Sequence, residues 1–413
     1  MNSKFNELTK RLTQSALRRC ELTTFGALLL LLASPGLAQQ LPVMDVTGDP
    51  ISASESNVDP ATVTGARTIP YFTYTATDPN NGVTYTLEMV GANPALGTTT
   101  TVPVLIIPLL MNFANGGVLD ATARAITVAN SPIFAHAAYS VQMAAGAVGQ
   151  YGDVVMQAQA NAFGSGYHVL LGTPTILPTQ VINVPQNHGT AFVTSQVFNT
   201  NGVVYGLLDQ GWWASQLNNL LNALHIPPEI LPIFLSDNGL LYRNNNFADC
   251  CYWTFHGAGT MNNSGKASVD SNGNAEVNTF IWASYLEPGT FTWPRKVPIG
   301  GLQDIAAVSH SIVGWLNDPF ILNQVTPWMT PTAPQFGCVG LLEEGEPLVG
   351  FWFPLSGNPD PSPLAGGVWH PTDAVFPQWF LRQSPSSAFD GHFTFMGTDN
   401  TNAAFHTVAT GCN

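Results

Sequence analysis

A short apolar run, "FGALLLLLA", sits behind Lys4, Lys10, Arg11, Arg18 and Arg19 and ahead of the small-residue end "GLAQQ". That layout is a secretory signal, expected to be cut after Ala38, and it constrains everything downstream. The run is shorter than the roughly 20 residues that cross a bilayer, and no later stretch is long and apolar enough to do so. The mature chain is therefore expected to be secreted or periplasmic, with no membrane span after cleavage.

Export puts the cysteines in an oxidising compartment, where disulfides persist. Cys20 leaves with the signal, and the remaining Cys250, Cys251, Cys338 and Cys412 are enough for two bridges. A bond between the neighbours Cys250 and Cys251 needs a strained ring. The expected pairings thus join each of them to Cys338 or Cys412, in either order, tying the far end of the chain to one strand.

The full chain carries a formal charge of −14, and the signal takes five basic residues with it but only Glu7 and Glu21 among the acids. The mature surface is more acidic still. Such a surface repels phosphate backbones, and no basic stripe with interleaved aromatics is present, so nucleic acid is not an expected partner. Anionic lipid is disfavoured on the same ground.

At 413 residues the chain exceeds the roughly 250–300 at which one core stops growing, so one large or two fused domains are open. Its 45% hydrophobic content says that it folds, and its 38 Gly and 31 Pro say that much of it is loop. After the signal (1–38), residues 39–66, with "DPISASESNVDPATVTGA", read as an extended leader. Residues 67–349 carry the main domain, and 350–413 a loop-rich C-terminal segment packed on it.

"TIPYFTYTATDPNNGVTYTLEMV" (68–90) alternates apolar and polar residues about a turn, which predicts a β-hairpin. "VPVLIIPLLMNF" (102–113) predicts a buried strand. Residues 131–163 read as mainly helical, and "YHVLLGTPTILPTQVINVP" as one or two strands. "GWWASQLNNLLNALHIPP" has a helical stripe at Trp212, Leu217, Leu220, Leu221 and Leu224, stopped by Pro227 and Pro228. Three strands ("EILPIFLSDNGLLY", "CCYWTFHGA", "NTFIWASYL") then precede the helix "GLQDIAAVSHSIVGWLNDP". A short helix near "PQWFLR" and a strand near "GHFTFMG" follow later. Strands followed by a helix suggest α+β rather than a regular parallel alternation.

On that helix Leu302, Ile305, Val308, Ile312, Trp315 and Leu316 share a face. His310 and Gly314 project from another, with Ala307 and Ser311 beside them. "CCYWTFHGA", "NTFIWASYLEP", "AAVSHSIVGWLNDPF", "TPW" and "GLLEEGEPL" together resemble, across residues 250–348, a family of secreted zincin-like bacterial proteins related to metallopeptidases of the His-Glu-x-x-Glu type. More distantly they are similar to the plant exordium, or phosphate-induced, proteins. The resemblance implies an α+β zincin-like core with a mixed sheet, an active-site-type helix, long loops and disulfides.

Position by position, it implies that His310 is the first zinc ligand. Ser311 stands where the general base would be, Gly314 where the second ligand would be, Glu343 and Glu346 match a downstream acidic pair, and His256 matches a strand histidine. Intact, such a site has three protein ligands and an open position, at which zinc acidifies a water and the glutamate takes its proton. Losing the base alone removes about 10²- to 10⁴-fold. The expectation is a catalytically degenerate scaffold that keeps a cleft for a peptide or other extended extracellular ligand. The alternative is a weak zinc-dependent peptidase using His310, His256, Glu343 and Glu346, with Glu344 as base.

Other classes have less support. "AFGSGYH" around Ser165 holds only half of a nucleophile-elbow pattern, and no glycine run has dinucleotide-binding spacing. Trp212, Trp213, Trp352, Trp369 and Trp379 would suit a secreted glycan-binding protein if they were exposed, although most aromatics in such a chain are core.

Overall fold

β-branched and aromatic residues in short runs, punctuated by Gly, Pro and Asn, favour sheet over helix along most of this chain. The computed structural model describes residues 40–45, 51–56, 58–161, 166–195, 202–259, 268–291, 302–331, 334, 337–397, 405–409 and 412. The expected signal segment and the Ser165 turn lie outside these residues. The chain divides into two units, Met1–Gln40 and Leu41–Asn413, and every element below belongs to the second.

In its first half come β1 (Ile51–Ser56), β2 (Tyr71–Thr77), β3 (Thr84–Val90), β4 (Val104–Phe113), β5 (Val118–Asp120), α1 (Thr122–Ala129), α2 (Tyr151–Gln159), β6 (Thr175–Ile176), β7 (Gln180–Val184) and β8 (Gly189–Val193). The second half holds β9 (Val204–Asp209), α3 (Gln210–Leu224), β10 (Leu231–Asp237), β11 (Gly239–Arg243), β12 (Asn246–Gly259), β13 (Asn278–Tyr285), α4 (Ala306–Asn317), β14 (Gln324–Met329), β15 (Cys338–Leu341) and α5 (Pro377–Phe380).

The expected α+β zincin-like core is not what forms. Strand outweighs helix, 37% against 21%. One 11-stranded sheet runs β6, β4, β10, β13, β12, β11, β9, β8, with β1 added to β12, and β5 and β7 to β4. It is nearly closed and barrel-like. The reason lies between Thr175 and Arg243, where β6 to β11 all join the sheet that β12 and β13 belong to. At the closing side the Asn115 amide, just past β4, donates to the Ala191 carbonyl of β8 at 2.8 Å and accepts from its N–H at 3.2 Å. Bringing a last strand back toward the first removes an unpaired edge.

Both faces of its central strands β4, β10 and β13 are packed against other elements. Alternation puts Ile107, Leu109, Met111, Phe234, Phe280 and Trp282 on one face, against Trp213, Leu217 and Leu221 of α3. Ile106, Ile233, Leu235, Ile281 and Ala283 face the other way, against Val308, Ile312, Trp315 and Leu316 of α4. Every residue of α4 is buried, so the small and polar flank carrying His310 is enclosed as fully as the apolar one. The β2–β3 hairpin forms as expected, pairing Tyr71 with Val90 through Thr77 with Thr84, and its Ala76 and Leu87 join a third cluster around Trp328, Trp379 and Phe380.

Local expectations fail where tight turns intervene. Among the described residues of 131–163 only α2 is a regular α-helix; Gly146 at φ 84 and the two-residue strands Ala137–Ala138 and Val148–Gly149 break the rest. "EILPIFLSDNGLLY" splits into β10 and β11 at Asn238, whose φ of 50 turns the chain toward a different neighbour. The segment near "GHFTFMG" contributes a bridge between Val375 and Thr394 rather than a strand. The extended leader is bound to the sheet, since β1 pairs parallel with β12 from Ile51–Tyr252 to Ser56–Ala258.

Candidate functional site

Residues three apart on a helix share a side, as do residues two apart on a strand. This brings Ser311 and Gly314 of α4 against Thr254 and His256 of β12. The loop after β15 then delivers Glu343, Glu344 and Glu346.

Within this cluster His256 Nε2 donates to Glu343 Oε2 at 3.2 Å, and His310 Nε2 to Glu346 Oε1 at 3.2 Å. Both histidines are 2% exposed. The His310 ring rests so close on the loop that a Cβ on Gly345 would come within 2.5 Å of it, and Trp253 flanks it at 5.5 Å between ring centres. The His256 ring occupies the room over Gly314, where a Cβ would lie 3.1 Å from its Nε2 and 3.6 Å from Glu343 Oε2. The four residues singled out by sequence, 256, 310, 343 and 346, are therefore neighbours, as two acid–histidine pairs.

Ser311 and Glu344, the two positions considered for a base, are engaged elsewhere. The Thr254 hydroxyl donates to the Trp282 carbonyl at 2.9 Å, so in its 2.6 Å contact with Ser311 it is the acceptor and Ser311 the donor. Glu344 is 0% exposed and accepts from Asn317 Nδ2 at 2.5 Å. Burial raises its pKa well above the usual carboxylate value, against the Asn317 hydrogen bond. Around His256 burial opposes the charged ring, but the Glu343 carboxylate and its hydrogen bond, with Asp318 and Glu346 beyond, hold the pKa above the usual histidine value. Asp318 is pushed up to about 8, first by burial and then by Glu343.

Two imidazoles and two carboxylates are donor types that suit a divalent metal. Their spacing here does not: among the described residues no group of three or more His, Cys, Asp or Glu is arranged to hold one ion.

Two features escaped the sequence reading. Asn317 is a hub: it donates to Glu344 and to the Val313 carbonyl, and its Oδ1 accepts from Gln159 of α2 at 2.5 Å. Ahead of α4, Asp304 takes the Nδ1–H of His370 at 2.7 Å while Gln303 bonds the other ring nitrogen at 3.1 Å, fastening the C-terminal segment to the helix entry. The "NDP" ending was legible only as a helix stop, and nothing in a single sequence pairs Asp304 with a residue 66 positions away.

The cysteine pairing also differs from expectation. Cys338 pairs with Cys412, while Cys250 and Cys251 lie side by side on β12 and reach neither of them. The Cys338–Cys412 Cα separation of 6.1 Å is ordinary for a disulfide; the chain end returns to β15, not to β12, so neither of the β12 cysteines meets it. Of the tryptophans considered for sugar stacking, Trp213, Trp369 and Trp379 are buried.

No family profile, curated protein or solved structure matches this chain. Its chemistry rests on the geometry above.

Proposed function

We propose that this is an exported binding protein that does not hydrolyse its ligand, and whose acid–histidine cluster is a structural lock joining α4, β12 and the 343–346 loop. The observation that carries the reading is the occupation of both hydrolytic positions. Ser311 donates its hydrogen bond to Thr254, and the His256 ring fills the space into which a second helix ligand would project from position 314. Glu344, fully buried and bonded to Asn317, is no substitute base. On this reading neither Ser311 nor Glu344 is placed to take a proton from an attacking water.

A second reading has one observation in its favour: both histidine Nε2 atoms face carboxylates. Zinc held by His310 and His256, with Glu343 and Glu346, would require the two pairs to converge on one ion. Incubation of the full mature chain with fluorescently labelled casein, with and without added zinc, separates the two. The expected result is no cleavage above that of His310→Ala. Zinc-dependent cleavage abolished by His310→Ala would overturn the proposal.

A further inference from the structure

Where α3 ends, His225 takes a positive φ of 49 and turns the chain through Ile226, Pro227 and Pro228. Beside that turn lie Arg67 and the antiparallel pair Ser268–Val269 and Ala275–Glu276. They border a cavity of about 640 Å³, within the roughly 300–1,000 Å³ of small-molecule sites.

The polar groups on its walls are fixed by the fold. Arg67 is anchored through its backbone, its N–H donating to the Ala275 carbonyl at 2.8 Å and its carbonyl accepting from Val277 at 3.0 Å. Its guanidinium meets Glu229 Oε1 through Nε at 2.9 Å and Nη2 at 2.8 Å, and Glu276 Oε1 through Nη1 at 2.7 Å. Three of its five N–H groups are thereby engaged, and the others remain donors. Asn278, at the start of β13, is 3% exposed, and its Nδ2 donates to the Ile226 carbonyl at 2.9 Å. Its Oδ1 keeps accessible surface and has no partner among the described residues. The exposed His225 ring lines the same cavity. Because the Ala223 carbonyl accepts from its Nδ1 at 3.0 Å, Nε2 of the neutral ring is a second open acceptor.

This set of groups selects among ligands. An anion would meet the Glu229 and Glu276 carboxylates and a cation would meet Arg67, so an ionic ligand faces like charge in either case. An apolar ligand would strip water from the two acceptors and leave them unmatched. A hydroxyl both donates and accepts, so a neutral polyol serves Asn278 Oδ1, His225 Nε2 and the Arg67 donors at once, with its ring C–H groups against Pro227 and Pro228. We propose that this cavity binds a neutral sugar of one or two rings. The inference rests on the binding-protein reading and supplies its ligand class.

The test is calorimetric titration of the full mature chain with glucose, galactose, mannose, N-acetylglucosamine, maltose and cellobiose, and with putrescine and inorganic phosphate as cation and anion. At least one sugar is expected to bind saturably, and neither ion. Asn278→Leu, which keeps the size but removes the acceptor, should weaken that sugar about tenfold, in keeping with one hydrogen bond. Val269→Trp, on the exposed rim, should abolish binding, and decides the matter if Asn278→Leu does not fold. No saturable sugar, saturable binding of putrescine or phosphate, undiminished affinity in Asn278→Leu, or sugar binding that survives Val269→Trp would each overturn the inference. None of these outcomes bears on casein cleavage, so the cavity and the non-hydrolytic reading fail separately.

Discussion

Gly345 is the residue on which the His310 ring lies. Any side chain there meets the ring, and the ring is confined by Trp253 and by its bond to Glu346. Gly345→Ala should destabilise the fold by about 1–3 kcal/mol, the usual cost of overpacking, read as a lower urea midpoint at unchanged slope. A neutral Gly345→Ala would mean that the ring is loosely held. His256→Ala should cost more, about 3–5 kcal/mol, because it leaves the Glu343 carboxylate buried without its imidazole. The sequence made His256, His310, Glu343 and Glu346 visible because their spacing resembles a known arrangement. It did not reveal their pairing two by two, because which carboxylate reaches which ring depends on the path of a loop that carries no periodic signal.

Elements with strong periodicity were legible: the β2–β3 hairpin, β4, α3 and α4 all lie where alternation or a 3.6-residue stripe put them. The complete burial of α4 was not, since a flank of Ala, Ser, His and Gly reads as a surface until a sheet and a loop are known to cover it. Cysteine pairing was likewise set by where the chain end returns. The Cys338–Cys412 bridge closes a loop with a sequence separation of 74. Replacing both cysteines by serine should lower stability by about 2–4 kcal/mol, checked by urea unfolding of the folded variant. An unchanged midpoint would show that the chain end is held by packing around Trp379 and Phe405 alone.

At the scale of the molecule, the near-closure of the sheet was hidden because it depends on strand order. β4 pairs with β10, more than a hundred residues on, and no local pattern encodes that partnership. Once closed, the sheet and its helices hold several acids away from water. Burial raises Asp237 to about 7, against the pull of Arg124, Asp373 to about 7 and Asp318 to about 8, from an ordinary 3.8. Above about pH 4 the unfolded chain releases protons that these groups keep in the folded state. Their contribution is thus fully present at low pH and lost as the pH rises toward 8, and the growing negative charge acts in the same direction. Urea midpoints are expected to be higher at pH 5 than at pH 8.5; the reverse order would mean that these carboxyls are hydrated.

Zinc distinguishes a closed lock at His256, His310, Glu343 and Glu346, as proposed above, from a metal centre. A ligand that binds only the folded state must raise its melting temperature. Thermal unfolding of the metal-free chain with increasing zinc is expected to show no rise in melting temperature and no difference from His310→Ala. A saturable rise with one equivalent of zinc, lost in both His256→Ala and His310→Ala, would mean that the four residues form a metal centre and not a lock.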